Sequence, residues 1–467
     1  MQFQVGPGTH RRQDGRVQIT NLNPDHDIGA SAWMVDFDGH RILLDAGTHP
    51  KREGLDSLPL YDRAGDVDVE AVVISHCHHD HVGSLPVALR RFPHANVLMT
   101  DLSYFIVERV LHNSVNVMMK QREEHGIHEY PMFTHRELDD IRARWIYRDY
   151  DRPFFIPDTE IQCSFHDAGH IIGSAGVMIR ENGHGLFYTG DVNFESQTIA
   201  KAASFPDEDI DVLIMETTRG DHVRRPDYTR KSEKERMAAV IRETWDAGGS
   251  VLIPVFALGK TQEALLMLHE LYEQDLIPEM PVFIGGLSTK ITVLYDHYAS
   301  RVPRHYPGFR LLEDIKMLVA PNKKRREISY QTRAIYALSS GMMTEKTTSN
   351  QFAWKILENP KNTICFVGYC DPDSPGGKIR GGKPGEMIKL DPKLPAIPLN
   401  CRVEAFDFSA HSTRESLCDF AEKVRPKKML LVHGDESAQL WFENRFRETI
   451  PGCEVIRPET HVPVDLW

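Results

Sequence analysis

The chain has 467 residues, of which 41% are hydrophobic and 26% charged. A chain this long exceeds one ordinary core, so two or three domains are expected. A net charge of −12 excludes a protein that coats nucleic acid through overall basicity, and any such contact has to lie in a local groove. No apolar run approaches the roughly 20 residues that span a bilayer, and the start, MQFQVGPGTHRRQDG, carries no apolar segment of a signal peptide. The expectation is a soluble, cytoplasmic protein without membrane contact. Seven cysteines without CxxC spacing fit reduced thiols, and neither a zinc-finger nor a haem-attachment reading is available.

SAWMVDFDGHRILLD reads as a hairpin turning at Asp38-Gly39. VEAVVIS is a β-branched run that delivers the chain into ISHCHHDHVGSLP, and VGSLPVALRRF then turns helical. A largely helical stretch follows from about 101 to 145. Strands return in IQCSFHDAG, AGVMIREN and GLFYTGD, the last two joined at Asn182-Gly183. DVLIMETT is a buried strand, and Ser232 with Glu235 forms a capping box for the helix RMAAVIRETW. SVLIPVF, PVFIGG and RAIYALSS read as strands and GKTQEALLMLHELYEQ as a helix, so the middle region looks like a parallel α/β unit. FDFSAH and KKMLLVHGD return to a strand-then-histidine rhythm. The order suggests one domain over 1–208, interrupted by an insertion over 209–394 and completed by 395–467.

The chemistry concentrates in the histidine cluster. A pair of zinc ions needs imidazole nitrogens and carboxylate oxygens, each metal keeping a position for water. In HCHHDH, alternate residues His76 and His78 can face one ion while Asp80 and His81 reach the other. The competing reading is a set of histidines in a solvated loop, and remote ligands decide between them. Such residues follow buried β-runs: His170 in DAGHIIGSAG, Asp191 in YTGDVN, His433 in MLLVHGDE and Asp45 in ILLDAG. His79 should point away from the ions, and Cys77 reads as a small buried residue. His166 and His222 read as polar surface residues.

With these motifs the sequence resembles the metallo-β-lactamase superfamily. The resemblance implies a four-layer αββα sandwich, a first metal on His76, His78 and His170, and a second on Asp80, His81 and His433, with Asp191 bridging. Asp45 would orient a ligand. IMETTRGDH, FSAHS and LVHGDE resemble the three motifs of the β-CASP group of RNA-processing nucleases, with PVFALGKTQE and LSSGMM as loops of its inserted domain. The expected catalytic residues are therefore Asp80, Asp45, Glu216 and His411, the last as proton donor held by Glu216. Lys260, Ser339 and Ser340 would line the substrate path. Lys323, Lys324, Arg325 and Arg326 read either as a solvated face or as a guide for RNA phosphates.

The resemblance favours a ribonuclease with two zinc ions acting on single-stranded RNA, with LSSGMM closer to the endonuclease type that cleaves pre-mRNA 3′ ends, and a homodimer as the assembly. A 5′ to 3′ exoribonuclease and a non-catalytic RNA-binding subunit stay open. Departures from the family pattern lie around the substrate path: Arg219 stands for Tyr, Lys260 for Arg, Gly285-Gly286 for a DSP-type turn, and Thr344-Glu345-Lys346 for GG. A Glu beside a phosphate path would repel it, and a Lys lacks the bidentate fork of Arg.

Overall fold

The structure, a computed structural model, describes residues 16–25, 27–319 and 328–467. The run Lys323 to Arg326 lies outside the described residues. Two seven-stranded sheets face each other. In the first, Val464–Asp465 pairs with Val17–Asn21, followed by Trp33–Phe37, His40–Leu44, Ala71–Val73, Asn96–Thr100 and Trp145–Arg148. In the second, the order runs Glu454–Ile456, Lys428–Val432, Val212–Glu216, His184–Tyr188, Ala175–Glu181, Gln162–Asp167 and Phe154–Phe155.

The continuous β-branched runs seen in the sequence are explained by burial on both faces. Leu44, Val73 and Leu98 point inward and meet Val177, Tyr188, Ile214 and Leu430 of the opposite sheet. Their neighbours Leu43, Val72 and Val97 point outward, where Leu85–Arg91 and Asp101–His125 cover them with Leu89, Ile106 and Val110. On the far side, Leu213, Met429 and Leu431 pack under helices Arg414–Val424 and Glu436–Thr449. Period-two alternation thus builds four layers, helix, sheet, sheet and helix, as expected.

The third sheet is parallel, with the order Val282–Phe283, Ile335–Leu338, Val251–Pro254, Thr363–Phe366 and Arg402–Ala405. Arg230–Asp246 and Lys260–Glu273 cover one face through Met237 and Leu265, and Thr348–Ile356 covers the other through Phe352 and Ile356. One continuous apolar cluster joins this unit to the outer helical layer of the sandwich, and Phe105 packs against Tyr298 with ring centroids 5.0 Å apart. Sheet membership crosses both expected junctions: Val212–Glu216 pairs with Lys428–Val432 inside the sandwich, and Arg402–Ala405 pairs with Thr363–Phe366 inside the insertion.

Local differences have local causes. The Arg230–Asp246 helix starts one turn earlier than expected: Thr229 is its N-cap and accepts from the Ser232 amide at 3.0 Å, while Ser232 reciprocates from the N3 position. A Ser that could cap is thus used as the responding half of the box. FDFSAH is not a strand; the strand ends at Ala405, and Phe406 and Phe408 are buried from a loop. The Asp38-Gly39 turn forms with both residues at positive φ, 52° and 101°, which matches the twist of a tight hairpin. Among the described residues, no helix is long and apolar enough to cross a membrane. The seven cysteines are all free.

Candidate metal centre

Every singled-out residue of the sandwich follows or ends a strand at its C-terminal end. Asp45 follows His40–Leu44, the histidine loop follows Ala71–Val73, and His170 and Asp191 follow Gln162–Asp167 and His184–Tyr188. Glu216 ends Val212–Glu216, and His433 follows Lys428–Val432. A packed pair of sheets therefore holds loop side chains at fixed separations. The histidine loop is itself stitched to the loop after Asp45: Ala46 and Thr48 donate to the His81 and His79 carbonyls, both at 2.8 Å, and Ser31 donates to Asp80 at 2.9 Å. Gly47 is required there, because a Cβ would stand 1.7 Å from the Asp80 carbonyl oxygen. Asp45 and His433 adopt left-handed φ values of 61° and 50°, a cost that a surrounding structure sustains at functional positions.

The side chains converge in two groups that share Asp191. In the first, His76 Nε2 and His170 Nε2 each lie 3.1 Å from His78 Nδ1, and they lie 3.4 and 3.6 Å from Asp191 Oδ2. In the second, His81 Nε2 and His433 Nε2 lie 3.3 and 3.4 Å from Asp191 Oδ1, and Asp80 Oδ2 lies 4.0 and 3.7 Å from the same two nitrogens. Ligands about 2.0–2.2 Å from a tetrahedral ion stand roughly 3.3–3.6 Å apart, so most of these edges have the length a zinc site needs. His78 Nδ1 cannot hydrogen-bond both flanking imidazoles as donor and acceptor at once, and His81 Nε2 and Asp191 Oδ1 are buried with no hydrogen-bond partner. Buried polar atoms without partners that face one point are what a cation satisfies. The donor set therefore fits two metal ions.

Outer partners fix which nitrogen is free. His170 Nδ1 lies 2.9 Å from the Ala410 carbonyl, which can only accept, so Nε2 is left bare. His81 Nδ1 lies 2.7 Å from Asp45 Oδ2, which also accepts from the Tyr188 hydroxyl at 2.7 Å and the Ser75 hydroxyl at 2.8 Å. Asp45 thus holds the His81 ring through its carboxylate, while sequence reading missed Ser75 and Tyr188 because only the fold brings them to it. Burial lowers His76 and His170 well below the usual imidazole value, which keeps them in the neutral form a metal binds. Burial alone would raise Asp191, but His433, His81 and His76 hold it well below the ordinary carboxylate range.

The remaining members of the cluster sort as expected. His79 turns away and its Nε2 lies 3.0 Å from Ser114 Oγ, while Cys77 is buried against the Ser103 carbonyl. His166 lies 2.8 Å from Asp151, and His222 is exposed. His411 comes from the loop after Arg402–Ala405, and its Nδ1 stands 3.1 and 3.2 Å from the two Glu216 oxygens. Glu216 Oε1 also accepts from the Val192 amide at 2.7 Å. Burial works against charge on His411, but Glu216 outweighs it and raises the imidazole above its ordinary value. Asp191, Glu216 and His411 have ligand atoms within 4.8 Å of one another, so the imidazole stands beside the two donor groups.

Cations on the insertion side are already engaged. Lys260 Nζ donates to the Phe408 carbonyl, and burial, stronger than the opposing pull of Glu263, brings this ammonium down to about 8. Arg219 grips Asp407 through two bonds of 3.2 and 2.9 Å, and Arg224 adds a third at 3.1 Å. This carboxylate, not singled out from sequence, is lowered to about 2 by those guanidiniums against the opposing effect of burial. Ser339 and Ser340 shape their own loop: Ser349 donates to the Ser339 carbonyl through its amide at 3.0 Å and to the Ser340 carbonyl through its hydroxyl at 2.7 Å. Lys346 of the Thr344-Glu345-Lys346 departure pairs with Glu124 at 2.6 Å.

Known proteins agree with this construction. Residues 27–239 match the metallo-beta-lactamase superfamily, 261–379 the Beta-Casp domain, and 396–458 the Zn-dependent metallo-hydrolase RNA specificity domain. The chain is 29% identical to the transcription termination factor FttA of Methanocaldococcus jannaschii, over 99% of this chain and 73% of that protein. It is 27% identical to the endoribonuclease YSH1 of Eremothecium gossypii, over 95% of this chain and 59% of the other. It is 28% identical to the cleavage and polyadenylation specificity factor 73 of Drosophila melanogaster, over 90% and 60%. The chain thus spans about three fifths of those two relatives. A crystal structure of a protein of unknown function from Enterococcus faecalis V583 shares the fold, with a TM-score of 0.55, 13% identity and coverage of 97% of this chain and 100% of that one. Four layers, two donor groups at the strand ends and matches to all three parts of the chain lead to one conclusion: it belongs to the metallo-β-lactamase superfamily of metal-dependent hydrolases, in the β-CASP group.

Proposed function

We propose that the chain is a ribonuclease with two zinc ions that hydrolyses phosphodiester bonds within single-stranded RNA. The observation that carries this reading is the His411–Glu216 pair, with its 3.1 Å contact, beside two donor groups that share Asp191. His76, His78 and His170 would hold one ion, Asp80, His81 and His433 the other, and Asp191 would bridge them. Zinc in such a site supplies Lewis acidity and a water whose pKa falls to about 7. His411, whose imidazole Glu216 raises against the opposing effect of burial, would deliver a proton from Nε2 to the departing ribose oxygen. Glu216 stabilises the imidazolium and fixes the ring so that Nε2, not Nδ1, faces the cleft.

The RNA specificity domain matched over 396–458 and the names of the relatives, an endoribonuclease and a cleavage factor among them, support RNA as substrate. His76 and His81 are fully buried, and a recessed centre of this kind suits a single strand better than the broad cylinder of a duplex.

A circular single-stranded RNA and a 5′-labelled linear one, incubated with zinc-loaded protein with and without chelator, test the reading. Opening of the circle, abolished by chelator, is expected. Shortening of the linear RNA with the circle intact would favour a 5′ exoribonuclease, and hydrolysis of neither by protein carrying two zinc ions would leave a non-catalytic RNA-binding subunit.

A further inference from the structure

The parallel strands of the insertion end along one edge, where ligands of open α/β sheets are bound. Lys260 follows Val251–Pro254, Ser339 and Ser340 follow Ile335–Leu338, and His411 comes from the loop after Arg402–Ala405. Thr363–Phe366 lies in the sheet between the strand that leads to Lys260 and the strand that leads to His411. The residues after it, Val367-Gly368-Tyr369-Cys370-Asp371, have no part in the chemistry described above, yet the topology sets them at the same edge.

The contacts place Tyr369 at the lip where the two halves of the molecule meet. Gly368 lies against Lys260, since a Cβ there would be 3.7 Å from Lys260 Cε. On the other side, Asp371 accepts Lys51 at 2.8 Å, from the loop that follows Asp45. Asp435, two residues past His433, is close enough to act electrostatically on both Lys51 and Tyr369. Tyr369 is nonetheless 59% exposed, and among the described residues its hydroxyl reaches only Asp371, at 3.5 Å. Among the described residues, no aromatic ring or guanidinium stacks on its ring. The charges that act on it, Asp371 and Asp435 against Lys51, are unsuited to a phosphate but do not oppose an uncharged base. An open aromatic face bordered by carboxylates, at the mouth of a cleft, fits a nucleobase by stacking.

We propose that Tyr369 is a stacking platform for one base flanking the bond to be cut, a substrate-positioning role that rests on the ribonuclease reading. Stacking of this kind tolerates any base, so it fixes the path of the strand rather than its sequence.

The test uses zinc-loaded protein and a short linear RNA in which one abasic nucleotide is moved along the chain. Tyr369→Leu is expected to raise KM about tenfold with a smaller change in kcat, while Tyr369→Phe, which keeps the ring, behaves as the original protein. In the original protein an abasic nucleotide at one position beside the cut should raise KM by a similar factor, and in the Leu variant the same lesion should add nothing. The idea is overturned if the Leu variant matches the original protein, if the Phe variant fails as the Leu variant does, or if the lesion and the substitution act independently. RNA affinity in chelator, read by fluorescence anisotropy, separates the two readings. If no RNA is cut but the Leu variant binds about tenfold more weakly than the Phe variant, the ribonuclease reading falls and stacking stands; affinity equal in the two, or absent from both, overturns stacking.

Discussion

The two walls of the cleft are built to opposite plans. On the sandwich wall, imidazoles and carboxylates are buried and aimed by outer partners, and where they converge His81 Nε2 and Asp191 Oδ1 have no hydrogen-bond partner. On the insertion wall the cations are neutralised internally: Arg219 and Arg224 by Asp407, Arg230 by Glu263, and Lys260 by the Phe408 carbonyl. Unpaired donor atoms that converge on one point mark the wall that awaits something, and cations paired to carboxylates or carbonyls mark the wall that supports. The donor groups therefore lie on the sandwich, while the insertion holds His411 in reach of them.

The largest effect should come from the wall that awaits metal. His78→Ala removes the nitrogen that stands 3.1 Å from both His76 Nε2 and His170 Nε2, so zinc content should fall and hydrolysis should drop below detection. Elemental analysis beside a cleavage assay checks this; full activity with unchanged zinc would dissolve the contrast between the walls. His411→Ala tests the boundary between them. Its Nδ1 is taken by Glu216, and the ring stands outside the two groups His76-His78-His170-Asp191 and Asp80-His81-His433, so zinc should stay bound while the rate falls by about 10²–10⁴. Loss of zinc along with rate would instead make it a ligand.

The supporting wall should respond in stability. Glu263 is buried, accepts the Thr198 and Ile199 amides at 2.8 Å each, and pairs with Arg230. Burial alone would raise it, but Arg230 and those amides bring it from 4.5 down to about 2. A lowered carboxylate contributes stability that is present above its unfolded pKa and lost as pH falls through the folded one. The contribution, on the order of 3 kcal/mol, should thus be complete above about pH 4.5 and disappear towards pH 2. Denaturant melts across that range should show the loss in the original protein and a flatter slope in Glu263→Gln, with its zinc content unaltered.

What could be read from sequence follows the same division. Donors at strand ends were legible because a buried β-run ending in His or Asp is a local pattern, and seven of them had to be reconciled with one site. The supporting set was not. Tyr188 reaches Asp45 across 143 positions, and Asp407 gathers Arg219 and Arg224 from 188 and 183 positions away. A lone Tyr or Asp gives no local sign of such a partner. Sheet membership is likewise a matter of pairing and not of local pattern: Val212–Glu216 joins the sandwich through Lys428–Val432, and Arg402–Ala405 joins the insertion through Thr363–Phe366. The departure at Arg219 looked like a change in substrate contact, and its two bonds to Asp407 make it a brace.

The smallest effect on activity should come from the residue next to the one with the largest. His79 follows His78 directly, yet the chain turns into the short helix His79–Val82 at that point, so their side chains diverge. His79 Nε2 lies 3.0 Å from Ser114 Oγ on the long helix Asp101–His125, and burial lowers its imidazole, so it is a neutral packing residue. His79→Ala leaves space beside Ser114 and should cost about 1–2 kcal/mol, read as a lower melting temperature. Zinc content and cleavage rate at a temperature where the variant is folded should match the original protein. If zinc were lost as in His78→Ala, the histidine loop would be one cooperative unit in which spacers matter as much as ligands, and the sorting of its members by the direction of each side chain would have to be abandoned.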